Sequence, residues 1–319
     1  MAQVLRRLDP VAKAETLLVG PDGFDDAGAV LGADGMVSLY TVDFFPPVVD
    51  DPTAYGAIAA ANSLSDIYAC GGRPKVVLNL AGFPADWGDE TLHPIFDGAV
   101  QVVREAGALW VGGHSVISEE PLFGFAVFGE VTQDLLVTQQ GAEPGDQIFL
   151  TKPLGAGSIT TGVKLGRVSA EQERVAVAEM ARLNILGGVA MRAAEVKAGT
   201  DVTGFGLLGH AFNMAKASGV VLTFEAAALP LYDGAAELAA DGIFSGAANR
   251  GREGLGKNAE IGAGVDDWLA AICFDAETSG GILACVKPHQ VPNFLAAMEN
   301  QMAVKIGVVQ SGQAKVVLA

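Results

Sequence analysis

Acidic residues recur in this chain beside glycine, threonine and other small residues, at places where elements should begin or end. PDGFDDAG carries Asp25 and Asp26, the run VSLYTVD ends on Asp43, AANSLSD carries Asn62 and Asp66, and TDVTGFG opens with Asp201. Asn62 and Asp66 are four apart and so share a helix face. Carboxylates converging from several element ends suit a hard cation. Mg²⁺ takes oxygen ligands, keeps some waters, and is usually held by one or two carboxylates together with substrate phosphates. Any one of these acids reads equally well as a cap or turn residue. The four segments together point further, because Asp66 lies in an apolar helix where an unpaired charge is costly. GGHS at 112–115 follows a strand. Its glycine pair either lets backbone N–H groups approach an anion or simply turns the chain. His114 alone belongs to no metal-ligand pattern.

Other motifs fail on context. GFGLLG at 204–209 matches the dinucleotide fingerprint, and Glu225 follows at a suitable distance. That fingerprint must follow a strand, whereas the preceding MRAAEVKAG reads as helical, so the segment is expected to be a flexible helix start presenting Asp201 and Thr203. In TKPLGAGSITTG the lysine precedes the glycines, the reverse of a Walker A loop. There is no GxSxG, no HExxH and no Cys/His pair, and Cys70, ending an apolar helix, reads as a core residue.

The elements that must position these acids alternate in the first half. Strands are expected over 37–45, 75–83, 108–111 and 123–131, the third ending at Gly112-Gly113. Asp51-Pro52 reads as an N-cap and first helical residue of a helix to Ala69, stopped by Gly71-Gly72, and a second helix runs over 89–106. QQGAEPGD at 139–146 concentrates turn residues, which divides the chain into domains 1–140 and 141–319. In the second, strands are expected at 147–151, 220–224, 282–286, 303–309 and 314–318. Helices fill much of 155–218 with a break at Gly187-Gly188, another covers 288–301, and 241–264 reads as a long loop. The fold class is therefore α+β in two domains.

Composition narrows the function. The 319 residues carry 20 basic and 37 acidic side chains, net −17, so there is no basic surface for nucleic acid. An anionic substrate would need metal ions as intermediaries. No run of about 18 apolar residues suggests a membrane span. The opening MAQVLRRLDPVAKAE is too charged for a signal peptide, and three separated cysteines fit a reducing cytoplasm.

Taken in order, TVDFFPPVVDDP, AAANSLSDIYACGGRPKVVLNLAGFP, GGHS, LTKPLGAGSITTG, TDVTGFGLLGH and DAETSGGIL resemble the selenophosphate synthetases, or selenide, water dikinases. That resemblance implies an aminoimidazole-ribonucleotide-synthetase-like fold. Two N-terminal domains would pair through residues 30–135 into a dimeric β-barrel, with ATP lying between the N- and C-terminal domains. It implies conversion of ATP, selenide and water to selenophosphate, phosphate and AMP. By position it implies Mg²⁺ ligands at Asp26, Asp66 and Asp201. ATP contacts would come from Gly23, Phe24, Asp25, Asp43, Asp66 and an ATP-contacting turn of Gly112, Gly113 and His114, with Asn62 and Thr203 in support. The partners implied are a second copy, ATP and selenide.

Three departures accompany the resemblance. The family's mobile glycine-rich N-terminal loop, with a cysteine or selenocysteine and a lysine, has no counterpart, and MAQVLRRL looks like the helix that follows it. No catalytic residue is therefore assigned, and the expectation is a chain that binds Mg-ATP and dimerises but makes little selenophosphate. The alternatives are a non-catalytic ATP-binding regulator or a related kinase with another acceptor. Gly23-Phe24 replace more polar residues, and SGAANR at 245–250 departs from a glycine-glycine-threonine pattern.

Overall fold

Asp51 and Pro52 open the helix around which the chain is built. In the computed structural model, which describes residues 15–21 and 25–319, the Asp51 side chain accepts a hydrogen bond from Ala54 N at 3.0 Å. Helix α1 (Pro52–Ala69) then runs to Cys70, where Gly71 turns the chain with φ +71°. Its sequence is alanine-rich with hardly a polar stripe, and thirteen of its eighteen residues are buried. A helix apolar all round must be covered all round.

One cover is a six-stranded sheet in the order β1-β2-β3-β6-β4-β5. It comprises β1 (Leu17–Val19), β2 (Gly28–Leu31), β3 (Met36–Phe45), β4 (Arg73–Phe83), β5 (Leu109–Ile117) and β6 (Leu122–Thr132). Pairing is antiparallel except between β4 and β5, which are parallel and joined through helix α2 (Asp89–Glu105). The two helices meet through glycines. A Cβ at Gly56 would lie 1.8 Å from Ile95 O, and one at Gly98 would lie 2.0 Å from Thr53 O.

The other cover comes from the second half. Its sheet has the order β10-β13-β9-β12-β7-β11-β8. The strands are β7 (Gln147–Leu150), β8 (Ala198–Asp201), β9 (Val220–Phe224), β10 (Ala259–Ile261), β11 (Ile282–Val286), β12 (Val304–Ser311) and β13 (Lys315–Leu318). Its helices are α3 (Ala156–Lys164), α4 (Ala170–Ala181), α5 (Ile185–Ala193), α6 (Gly206–Ser218), α7 (Ala235–Ala240), α8 (Ala247–Leu255), α9 (Asp267–Phe274) and α10 (Val291–Ala297). Ser169 and Gln172 form the capping box that opens α4. Among the described residues, no helix is long and apolar enough to cross a membrane.

Four expectations are corrected. GGHS does not end a strand; β5 runs through it to Ile117, with a bulge where its register against β4 shifts between Val77 and Leu78. Gly112 sits at that bulge with φ +148°, and a Cβ at Gly113 would strike Asn79 Oδ1 at 2.1 Å, so the glycines serve strand geometry. A short strand, β8, does precede GFGLLG, but its sheet neighbour is antiparallel β11, and three strands separate it from β9, so no βαβ unit forms. The break among the helices falls at 182–184, not at Gly187-Gly188, which lie inside α5 against Ile282 and Tyr68. The expected loop 241–264 contains α8 and β10. The helix expected at residues 1–8, with Gly23 and Phe24, lies outside the described residues.

Because the Gly56 contact is with backbone, it cannot yield by a rotamer change. Gly56→Ala should cost at least the ~1–3 kcal/mol typical of overpacking. A urea midpoint unchanged from the parent chain would contradict this packing of α1 on α2.

Candidate active site

Four carboxylates reach one region beside α1 from separate elements. Asp66 projects from the last turns of α1, one turn beyond Asn62. Asp43 lies on β3, and strand alternation puts Thr41 on the same face. Asp26 lies two residues before β2, and Asp201 ends β8 in the other sheet.

Neutral hydrogen-bond donors hold each acid. Thr41 Oγ1 donates to Asp66 at 2.5 Å, and the Asn62 amide donates to Asp43. Thr200 Oγ1 donates to Asp26 at 2.7 Å, and the Gln139 side chain donates to it at 3.3 Å. Asp25 accepts from Gln139 N at 2.6 Å. Ser65 bonds Asp201 and is itself held by Asn184 Nδ2 at 2.8 Å. Sequence reasoning missed Thr41, Ser65, Gln139, Asn184 and Thr200. Thr41 and Thr200 had a signal, a threonine two residues before Asp43 and one immediately before Asp201.

Burial and mutual repulsion dominate the electrostatics. Burial first, then Asp201, pushes Asp26 well above the carboxylate range. Asp66 is pushed up by burial and then by Asp201, Asp26 and Asp43. Asp201 is raised to about 6, chiefly by burial, and its Oδ2 is buried without a hydrogen-bond partner. Lys152, a cation within electrostatic reach of Asp201, is spent elsewhere. Its Nζ donates to Arg182 O at 2.6 Å and Ser279 O at 2.7 Å, and burial lowers its pKa to about 7. A crowd of buried like charges with an orphaned oxygen fits a divalent cation. Among the described residues, no three His, Cys, Asp or Glu side chains close on a single ion point. That agrees with a cation whose remaining ligands are water and phosphate oxygens.

The other candidate residues lie elsewhere. Thr203 is turned toward His210, whose Nε2 accepts from Thr203 N at 3.1 Å and whose pKa burial lowers to about 4. Asp43, Phe125, Asn79 and Gly113 form one row across β3-β6-β4-β5. Three strand spacings, about 14 Å, therefore separate Gly113 from Asp43. His114 and its neighbours Gly112 and Gly113 are exposed on the edge strand, and a single chain does not bring them to the acids.

The glycine-rich turn before α3 already holds a carboxyl group. Gly155 N and Ala156 N donate to the two oxygens of Glu277 at 2.7 and 2.9 Å. Glu277 is buried, and burial lifts its pKa to about 8 against the pull of those bonds. This explains physically why PLGAGS is not a phosphate loop.

Comparison with known proteins places this geometry. Residues 24–131 match the model of the AIR synthase related protein N-terminal domain, and residues 143–319 match that of its C-terminal domain. A selenide, water dikinase of Clostridioides difficile is 37% identical over 311 residues, 98% of this chain and 89% of that protein. One from Myxococcus xanthus is 41% identical over 317 residues, 98% of this chain and 90% of its own. Among solved structures, thiamine monophosphate kinase from Aquifex aeolicus aligns with TM-score 0.68 at 20% identity, over 92% of this chain and 90% of that one. Hydrogenase maturation protein HypE in complex with ATP aligns at 0.67 and 18%, over 99% and 86%.

The electrostatics give a pH prediction for the cation-free chain. An acid with a raised folded pKa keeps its proton longer folded than unfolded, so folding is favoured at low pH and loses stability as pH rises. In EDTA the Tm should fall from about pH 4, the unfolded carboxylate value, through Asp201's about 6. Mg²⁺ should restore it. Asp66→Asn should raise the Tm in EDTA at neutral pH and shrink the Mg²⁺ effect. A Tm in EDTA that is flat with pH would contradict the mutual repulsion.

Proposed function

The chain belongs to the AIR synthase related proteins and, within them, to the selenide, water dikinases, and we propose that it converts ATP, selenide and water to selenophosphate, phosphate and AMP at the carboxylates beside α1. The observation that carries the site is the convergence of Asp26, Asp43, Asp66 and Asp201 from both halves of the chain, with a buried Asp201 oxygen unpartnered. ATP is the substrate, and Asp26, Asp66 and Asp201 are the residues that would hold Mg²⁺, with no more than two of them on any one ion. Bound there, Mg²⁺ supplies the positive charge that phosphate oxygens need and that this site lacks in side-chain form.

The chain's own residues fix geometry. Thr41, Thr200 and Ser65 donate to the acids and orient their free oxygens. Asn62 joins the two halves, since its amide donates to Asp43 while its Oδ1 accepts from Ser279 N at 2.9 Å. Asp25, with Gly23 and Phe24 before it, is assigned to the nucleotide. In this reading residues 1–140 bind nucleotide and dimerise, and residues 141–319 contribute Asp201 and the supporting shell. Thr203 supports Asp201 through the backbone of the 201–206 segment. Three free, buried cysteines accord with a cytoplasmic setting.

GGHS enters a nucleotide site only if a second copy brings it there. The sheet face away from α1 argues for such a copy. Tyr40, Val42 and Phe44 of β3 are 44%, 56% and 46% exposed, and Phe128 stands beside Tyr40 at 5.2 Å between ring centroids. An apolar sheet face and an unpaired β5 edge are surfaces that a two-fold partner covers. Light scattering should give a dimer at micromolar concentration, and Val42→Glu should give a folded monomer. A monomeric parent chain would overturn the assembly.

Activity has a direct readout. Phosphorus NMR of the chain with ATP, Mg²⁺ and selenide should show selenophosphate and AMP appearing in equal amounts, an outcome that would overturn the expectation of little turnover drawn from the missing cysteine and lysine. Asp66→Ala should lower that rate by about two orders of magnitude, the scale of losing one electrostatic stabiliser. ATP consumption with no selenophosphate would point to another acceptor.

A further inference from the structure

Helices α6 and α8 face each other across a cavity of ≈ 450 Å³ that contains none of the four carboxylates. Its volume lies within the ~300–1,000 Å³ range of small-ligand pockets. Glycine on both facing surfaces keeps side chains out of the lining, and at Gly254 it leaves open space. Gly209 on α6 and Gly251 and Gly254 on α8 line it, and a Cβ at Gly254 would meet nothing within 4 Å. On α6 the positions Phe205, Gly209, Phe212, Asn213 and Lys216 fall at helical spacing along one face. On α8 Gly251, Gly254 and Leu255 share a face with Arg250.

The lining combines three chemistries. Phe205 stands 62% exposed at the cavity, with Phe212 and Phe274 as further apolar wall. Asn213 offers an amide with both donors and an acceptor. The charged lining residues are Lys216 and Arg250, both cations, in a chain with 37 acids. Neither is among the described ion pairs, and no acid stands in the lining beside them. Two cations over aromatic walls, with no acid in the lining, suit an anion from outside.

We propose that the α6–α8 cavity is a second small-molecule site, which takes an aromatic phosphomonoester of the nucleoside monophosphate kind. A phosphomonoester carries a charge of about −1.5 to −2 at neutral pH, which two cations balance. An exposed phenylalanine offers a planar base a stacking surface, and stacking is tolerant of base identity. Asn213 is placed to bond a base edge. The site is separate from the carboxylates, needs no divalent cation, and does not depend on the kinase reading.

The test is calorimetric titration of the full chain with AMP in EDTA, which removes metal-dependent nucleotide binding at the acids. AMP should bind once per chain. Lys216→Gln and Arg250→Gln should each weaken it about tenfold or more, the scale of a hydrogen bond to a charged group. Gly254→Leu, which fills open space on a helix, should abolish binding while leaving the circular dichroism and Tm near those of the parent. Asp66→Ala should leave AMP affinity in EDTA unchanged, and adenosine or inorganic phosphate alone should bind more weakly than AMP. Absence of AMP binding in EDTA overturns the proposal, as does AMP affinity that survives Gly254→Leu and both cation variants. Loss of AMP binding in Asp66→Ala assigns AMP to the carboxylate site and also overturns it. Adenosine binding as tightly as AMP removes the role of the cations and with it the phosphomonoester.

Discussion

Asp66 is a carboxylic acid set in a helix that is buried on nearly every side, and most of the molecule can be understood from that constraint. Placing one carboxylate there is costly, and placing Asp26, Asp43 and Asp201 beside it raises the cost through repulsion. The chain offsets this with neutral donors rather than cations. Threonine, serine and amide groups can orient an acid oxygen without cancelling its charge, which leaves that charge for a ligand. A lysine or arginine in the same place would stabilise the empty protein and weaken the site.

The same constraint ties the two halves together. Helix α1 belongs in sequence to the first half, yet Asn62 accepts from Ser279 N, Ser65 accepts from Asn184, and Gly188 lies against Tyr68. Asp201 reaches the site only because β8 ends there. Docking of the second sheet on α1 and assembly of the carboxylates are therefore one event. Glycine also permits close backbone approach within the second half: a Cβ at Gly281 would lie 2.3 Å from Lys152 N, and one at Gly280 would lie 2.1 Å from Val202 O. Lys152 and Glu277 are the internal counterparts of a phosphate site. The lysine is tied to two carbonyls, and the carboxylate fills the turn before α3. The glycine-rich turn that resembles an anion cradle is thus satisfied from within.

Much of this was legible in the sequence, and the reason is locality. Capping residues, proline at a first helical position, strand alternation and glycine stops act over a few residues. They mark α1 from Asp51 to Gly71, four of the six strands of the first sheet and the α+β class, but not β1 or β2. The acids themselves, and a family resemblance carried by six separated segments, were visible as residue types in order. What they could not reveal was which groups meet. The row from Asp43 to Gly113 depends on strand order β3-β6-β4-β5 and on a bulge near Gly112, and it moves GGHS from an expected turn to an exposed edge. Glu277 finds Gly155 across 122 residues, and Thr200 turns to Asp26 across 174. Such pairings are set by register and by the close approach of backbones over glycine, which are properties of the assembled sheets. The sequence by itself determined the elements, the acidic chemistry and the family. Only the tertiary structure decided that four acids share one buried region, because repulsion among them exists only once distant strands have been brought side by side.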